Sequence, residues 1–294
     1  MSLNVPKALT HFLEGESDVK KLFAVIGDPI AHSMSPVMHN DLFQAYEIDA
    51  YYQPLHVKRE DLEVAIKGLK AIGIAGFNVT VPHKEAIIPL LDELDPLAKS
   101  IGAVNTVVNE NGKLIGFNTD GSGYVRGLLE ELPSLQDKKV LVIGAGGAAR
   151  GIYFTMAQAG VVQLDISNRT VSKANVIVSE CPFDVQSEVL NMDEAEKNLG
   201  QYDLIIQTTL AGMAPNIQEL PISIQHLKAG SFVSDIIYNP LETTFLQEAK
   251  KNGADIQNGL NMFVFQGALA FEKWTGIFPD TKRMRKIVLS QLGG

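Results

Sequence analysis

This chain of 294 residues predicts two α/β domains: an N-terminal one built on a mixed sheet, then a Rossmann-like one, with C-terminal helices that return to the first. Three observations carry that reading. Residues 22 to 117 alternate short apolar runs with helix-spaced segments. The run Val140-Leu-Val-Ile-Gly-Ala-Gly-Gly-Ala-Ala-Arg150 is a buried strand entering a glycine-rich turn and a small-residue helix. Apolar runs then recur at 162–167, 203–207, 232–235 and 254–257, the rhythm of a parallel sheet. The expected divisions are residues 1–120, 121–258 and 259–294.

Taken in order, Leu22 to Ile26 is a buried strand stopped by Gly27-Asp-Pro29. Ser35-Pro36 opens a helix that runs to about Tyr46, with Ser35 at the N-cap and Pro36 at the first helical position. Ala50 to Val57 is a second strand, and Pro54 places it at an edge or an end. Glu60 to Ile72 has helical spacing and closes near Gly73. Gly76 to Val81 is a third strand ended by Pro82, and a helix is expected from Lys84 to Leu91. Val104–Val108 and Lys113–Phe117 form a hairpin around Asn109-Glu-Asn-Gly112. Asn118 to Gly123 reads as a polar hinge, with glycines to bend it, before a helix from Tyr124 to Glu131. The glycine turn leads into a helix over Ala148–Ala159. Two more helices, Met262–Thr275 and Thr281–Leu292, have no strand of their own and are expected to pack on the first domain.

The glycine turn points to a ligand. Gly144, Gly146 and Ala149 have the G-x-G-x-x-A spacing of a dinucleotide site, in which backbone N–H groups at a helix N-terminus meet a pyrophosphate. The strand after that helix ends in Asn168-Arg-Thr170 rather than in the carboxylate that binds a free ribose 2′-hydroxyl. A cation with two hydrogen-bonding side chains suits a 2′-phosphate, so the expected cofactor is NADP. Reductase or dehydrogenase chemistry follows.

Bulk properties narrow the partners. The net charge of −9 argues against general affinity for nucleic acid or anionic membranes. An anionic ligand must therefore be held by local cations, with Arg169, Arg150 and Lys84 the candidates. A single cysteine, Cys181, excludes an internal disulfide and fits a reducing cytoplasm. No apolar run is long enough to span a membrane, and residues 1–20 lack the pattern of a secretory signal. The six histidines, His32 and His39 among them, form no ligand cluster, so no metal is expected. The expected partner is a small molecule, and a homodimer is left open.

The first half also gathers neutral polar side chains at strand ends: Ser33, Ser35, Asn78, Thr80, Asn105 and Thr106, with Lys84, Asn118 and Asp120. Hydroxyl and amide groups suit a polyol. A lysine and a carboxylate suit proton transfer during oxidation of a carbinol. Each residue also has a structural explanation, because Ser35 can cap its helix, Asn and Asp favour turns, and Lys84 can be a solvated first-turn residue.

The segments Ala24 to Pro36, Asn78-Val-Thr-Val-Pro-His-Lys84, Gly102-Ala-Val-Asn-Thr106, Gly116-Phe-Asn-Thr-Asp120 and Gly144-Ala-Gly-Gly147 resemble the shikimate dehydrogenase family. So do Asn168-Arg-Thr170, Gly212-Met213, Asp235-Ile-Ile-Tyr-Asn-Pro240 and Gly259 to Gln266, in the family's order over nearly the whole chain. The resemblance implies an N-terminal substrate-binding domain, an NADP-binding domain, and an active site in the cleft between them. It implies reversible NADPH-dependent reduction of 3-dehydroshikimate to shikimate, in aromatic amino-acid biosynthesis. By the same carry-over, Lys84 and Asp120 form the catalytic pair. Ser33, Ser35, Thr80, Asn105, Asp120 and Gln266 bind substrate, with Tyr238 close to it. Gly144, Ala145, Gly146, Gly147, Ala148, Asn168, Arg169, Thr170, Lys173, Met213 and Gly259 line the cofactor site.

Departures are few: Gln207 stands where Asn is common, and Phe263 where Leu is common. The rival readings are a quinate/shikimate dehydrogenase of the same superfamily and a non-catalytic binding regulator. Ser33 and Ser35 favour the shikimate type over the first, and retention of both Lys84 and Asp120 argues against the second.

Overall fold

The computed structural model describes residues 19–292, so most of the segment read for a signal peptide lies outside the described residues. Two compact units emerge: one holds the described residues up to Thr119 together with those from Gly267 onward, and the other is Asp120–Gln266.

The first unit is built on a six-stranded mixed sheet. Its strands are β1 (Lys21–Gly27), β2 (Ala50–His56), β3 (Gly76–Val79), β4 (Glu93–Leu94), β5 (Thr106–Glu110) and β6 (Lys113–Phe117), in spatial order β2-β1-β3-β5-β6-β4. β1 pairs parallel with both β2 and β3, whereas β3/β5 and β5/β6 are antiparallel. Pro54 lies in β2, the edge strand, where a missing N–H is tolerated. The β5–β6 hairpin turns on Asn111 and Gly112, both at positive φ, the conformation such a two-residue turn requires.

Helices α1 (Ser35–Ala45), α2 (Leu62–Ala71) and α3 (Pro96–Ile101) connect these strands. Ile26, Phe77, Val79, Val107 and Leu114 from the sheet bury against Ile66 and Leu69 of α2. The short helix α3 has a clear start signal in the sequence: the Asp95 side chain accepts from Leu97 N, and Pro96 follows it.

Three expectations need correction. Ser35 is not the N-cap of α1; it is the first helical residue, and its N–H donates to Ser33 Oγ at 3.3 Å. The segment from Lys84 to Leu91 is not an α-helix but a series of turns ending in a single 3₁₀ turn, Ile88–Leu90. Pro89 lies in that span and has no N–H to give to the carbonyl of Glu85, four residues back, so an α-helical ladder is broken there.

The run 118–123 is also not a flexible stretch throughout: the two units do divide within it, between Thr119 and Asp120, but helix α4 (Asp120–Leu129) begins at once. Its early glycines serve close packing instead of bending. A Cβ at Gly121 would stand 2.3 Å from Gly151 O, and one at Gly123 would stand 2.5 Å from Gln266 N.

The second unit carries a six-stranded, wholly parallel sheet: β7 (Lys139–Ile143), β8 (Gln163–Ser167), β9 (Val189–Leu190), β10 (Leu204–Gln207), β11 (Phe232–Asp235) and β12 (Asp255–Gln257). The spatial order is β12-β11-β10-β7-β8-β9. Counted from β7, this is the doubly wound order, with its switch point between β7 and β10. Helices α5 (Gly147–Gln158), α6 (Val171–Ser179), α7 (Met192–Asn198) and α8 (Thr244–Lys251) complete the crossovers. Leu141, Ile143, Ile205 and Val233 form a core with Phe245 and Leu246 of α8.

Helix α9 (Leu260–Thr275) contains the junction at Gln266/Gly267, so residues 259–266 group with the second unit. From Gly267 the chain belongs to the first. Trp274 donates its indole N–H to Val107 O at 3.0 Å, and Arg283 of helix α10 (Thr281–Gln291) pairs with Asp41 of α1.

An aromatic cluster fills the space beneath α1. His39 stacks on Tyr52 at 4.6 Å and on Phe271 at 6.3 Å, with Trp274 edge-on. The His39 ring is wholly buried and neither nitrogen has a partner among the described residues. Burial therefore holds its pKa down at about 3, below the ordinary 6.5. A depressed histidine favours the folded state fully only above the unfolded value. As pH falls below about 6.5 the unfolded chain binds a proton that the folded chain refuses. This group should then remove about 1.4 kcal/mol of stability per pH unit. His39→Leu should flatten the pH dependence of urea unfolding by about 1.4 kcal/mol in all between pH 7.5 and 5.5; an unchanged dependence would show that the ring titrates alike in the folded and unfolded chain.

Candidate active site

The polar residues of the first unit converge at the carboxyl ends of the parallel strands β1 and β3. Thr80 leaves β3 with its N–H on Ile26 O at 3.0 Å, and Asp28 N–H binds Val81 O at 3.0 Å, so the two exits are tied together. Lys84 is held at both flanks. The buried ring of His83 donates through Nε2 to Val57 O at 2.6 Å, and Lys84 O accepts from Val104 N at 2.8 Å. Lys84 is thus a half-buried residue on a pinned turn, not a first-turn residue of a surface helix.

A buried polar network lies beside this turn. Tyr52 Oη donates to Asn78 Oδ1 at 2.6 Å, and Asn78 Nδ2 donates to Asn105 O at 3.0 Å and Thr106 Oγ1 at 3.1 Å. Asn105 Oδ1 accepts from Thr119 N at 2.8 Å, and Asn105 Nδ2 donates to Thr119 Oγ1 at 2.9 Å. Burial pushes the Tyr52 pKa well up, so its phenol remains a donor. Satisfying these groups in a low-dielectric setting gives each a single orientation.

The expected substrate residues divide by unit. Ser33, Ser35, Thr80, Lys84 and Asn105 belong to the first; Asp120, Tyr238 and Gln266 belong to the second. Asp120 is buried at the start of α4. Tyr238 stacks on Phe263 with ring centres 5.0 Å apart, and Gln266 Nε2 donates to Phe263 O at 2.8 Å. Sequence reasoning missed Tyr52, His83 and Thr119, because their roles depend on partners 14 to 26 residues away in the chain.

In the second unit the glycine turn sits at the switch point. Gly144 adopts φ +114°, a conformation open to glycine, and a Cβ there would stand 2.4 Å from Thr208 Oγ1 at the end of β10. Beyond it, Gly146 and Gly147 are exposed, and the space a Cβ would take at each is open. Gly146 caps α5 without a side chain, which leaves the helix N-terminus accessible to an anion.

Asn168 Nδ2 donates to Thr170 O at 2.9 Å and shapes the turn after β8. Arg169 and Lys173 are exposed and have no side-chain partner among the described residues. Uncapped N–H groups, room over the glycines and two unpaired cations fit a phosphorylated dinucleotide. Arg150, also a candidate cation, is engaged elsewhere: it pairs with Glu180 at 2.6 Å and lies over the Phe154 ring. Met213 is exposed after the turn at Gly212. Gly259 has a steric duty of its own, since a Cβ there would stand 1.9 Å from Ile236 O.

Three family models match in chain order. They are the shikimate dehydrogenase substrate binding domain over residues 25–107, shikimate / quinate 5-dehydrogenase over 128–223, and the shikimate 5'-dehydrogenase C-terminal domain over 259–289. A protein of Geobacillus sp. (strain WCH70) named shikimate dehydrogenase (NADP(+)) is 58% identical over 277 residues, covering 94% of this chain and all of that one. The chain belongs to the shikimate dehydrogenase family.

Solved members share its fold. A shikimate dehydrogenase crystallised with NADP+ is 41% identical with a TM-score of 0.87, over 93% of this chain and 96% of the other. The shikimate 5-dehydrogenase of Listeria monocytogenes, crystallised with shikimate and NAD, is 34% identical with a TM-score of 0.88, over 94% and 98%.

The cofactor geometry makes a binding prediction that needs no turnover. A charge-assisted bond from Arg169 to a 2′-phosphate is worth about 1.5–3 kcal/mol, or about 10- to 150-fold in affinity. Calorimetry on Arg169→Asp should show NADP binding weakened by that factor while NAD binding holds or improves. Equal losses for both dinucleotides would remove Arg169 from the phosphate site.

Proposed function

We propose that this chain is an NADP-dependent oxidoreductase that reversibly reduces 3-dehydroshikimate to shikimate, a step of aromatic amino-acid biosynthesis. The observation that carries the proposal is the pinned Lys84 turn beside a satisfied hydroxyl and amide network, in a chain 58% identical to a shikimate dehydrogenase (NADP(+)). NADP is to be held by Gly144 to Ala148 at the start of α5, by Asn168, Arg169, Thr170 and Lys173 after β8, and by Met213 and Gly259. When bound in reduced form, it supplies the hydride.

The chain's own residues supply the rest. Ser33, Ser35, Thr80, Asn105 and Gln266 orient a polyol acid through neutral hydrogen bonds, with Tyr238 close to it. As the ketone becomes an alkoxide, its oxygen gathers negative charge. The Lys84 ammonium stabilises that charge and delivers the proton, with Asp120 as its proposed catalytic partner. In the reverse direction Lys84 takes the proton back. Ser33 and Ser35 favour shikimate over quinate as the substrate. A single half-buried thiol, Cys181, with no disulfide, supports a cytoplasmic setting.

Purified protein should form NADPH from NADP only when shikimate is added, and quinate should be a poor substitute. Lys84→Ala should lower kcat by about 10²–10⁴-fold, the range of a positioned general acid or base. NADP affinity should persist, because Gly144 and Arg169 lie in the other unit. Lys84→Arg should also be slow, since a guanidinium hardly releases a proton. Near-native kcat for Lys84→Ala at saturating substrates would reject the lysine as proton donor.

A further inference from the structure

The buried carboxylate of Asp235 has no part in the chemistry above, yet it holds a loop that does. Asp235 ends β11, has no solvent access, and spends both oxygens on one stretch of chain. Oδ1 accepts from Ile237 N at 2.9 Å, and Oδ2 accepts from Thr243 Oγ1 at 2.8 Å. These two bonds clamp residues 236–243, the loop that bears Tyr238.

The loop is gripped on its other side too. Gly259 N donates to Ile237 O at 2.9 Å, and Gly259 lets Ile236 O approach to within a distance no side chain would allow. Tyr238 then stacks on Phe263.

Hydrogen-bond polarity makes the carboxylate hard to replace. Thr243 is the N-cap of α8, and its Oγ1 accepts from Leu246 N at 3.3 Å. Its hydroxyl proton is directed to Asp235. The Ile237 N–H is a donor as well, so the position asks for an acceptor on both oxygens. A carboxylate meets that demand, whereas an amide offers one acceptor and one donor pair. Burial pushes the Asp235 pKa up to about 7, against the two hydrogen bonds that lower it. Retaining a carboxylate at such a site is unfavourable by itself, and the loop geometry it enforces is what it returns.

We propose that Asp235 is a positioning residue of the substrate site, which sets the place of Tyr238 by clamping the 236–243 loop at Ile237 and Thr243. The proposal rests on the functional reading above, in which Tyr238 lies close to the substrate.

The test is Asp235→Asn at pH 8.5, where the native carboxyl is ionised, read by amide hydrogen exchange and by kinetics. Exchange should quicken in peptides covering 236–243 and stay native in β7, β8 and α5. The KM for shikimate should rise about three- to tenfold, the scale of a lost neutral hydrogen bond, with kcat and NADP affinity changed less than about twofold. In a Tyr238→Phe background the same substitution should add little to KM, because both act on one contact. Thr243→Val should repeat the effect and Thr243→Ser should not, which keeps the idea testable if Asp235→Asn folds poorly.

Native exchange in 236–243, an unchanged shikimate KM, or equal losses in shikimate and NADP binding would each overturn the assignment. Should the wild-type protein turn over no shikimate at all, the functional reading fails, and the exchange data still decide whether Asp235 clamps the loop.

Discussion

Parallel pairing of β1 with β3 in one unit, and of β7 with β10 in the other, is the constraint from which the functional surfaces follow. Parallel neighbours send their chains out at the same edge, so loops far apart in sequence emerge side by side. In the first unit this edge carries the Ser33–Ser35 turn after β1 and the Thr80–Lys84 turn after β3. In the second it carries Gly144 after β7, Asn168–Thr170 after β8, Thr208 after β10 and Tyr238 after β11.

The two units solve their polar problem in different ways. The first buries a network of Tyr52, Asn78, Asn105, Thr106 and Thr119 in which each amide has one workable orientation. Such a network is tolerable because it is satisfied, and its satisfaction is what makes it rigid. The second leaves its donors open. The N-terminus of α5 lacks a side-chain cap, two glycines leave space above it, and Arg169 and Lys173 stand unpaired among the described residues. A surface meant for an anion has to keep its N–H groups and cations free of internal partners.

Glycine-rich stretches illustrate why local reading reached only part of this. Gly144 was legible as a ligand turn because its strand, spacing and following helix are contiguous in the sequence. Gly121 and Gly123 have the same local look of flexibility, yet they are helical and packed against Gly151, Thr155 and Gln266. The partners that decide between bending and close packing lie about 30 residues away in one case and far more in the other. The segment after Lys84 misled for a related reason: its composition is compatible with a helix, but the His83 ring and the Val104 N–H draw it into turns.

By itself the sequence determined the two α/β domains, nearly every strand of the parallel sheet, the edge position of Pro54, the hairpin turn and the glycine cradle with its basic neighbour, since these depend on periodicity, turn chemistry and short spacings. Tertiary structure alone decided that Ser35 is helical and its N–H is served by Ser33, that His39 is a neutral core ring, that the Lys84 turn is pinned from Val57 and Val104, and that Asp235 clamps the Tyr238 loop. Each of these turns on a hydrogen-bond partner or on exclusion of water. For His39 and Lys84 they depend on which distant segments meet; the Ser33–Ser35 and Asp235 bonds span only two to eight residues, but they need a backbone path that residue types alone do not specify.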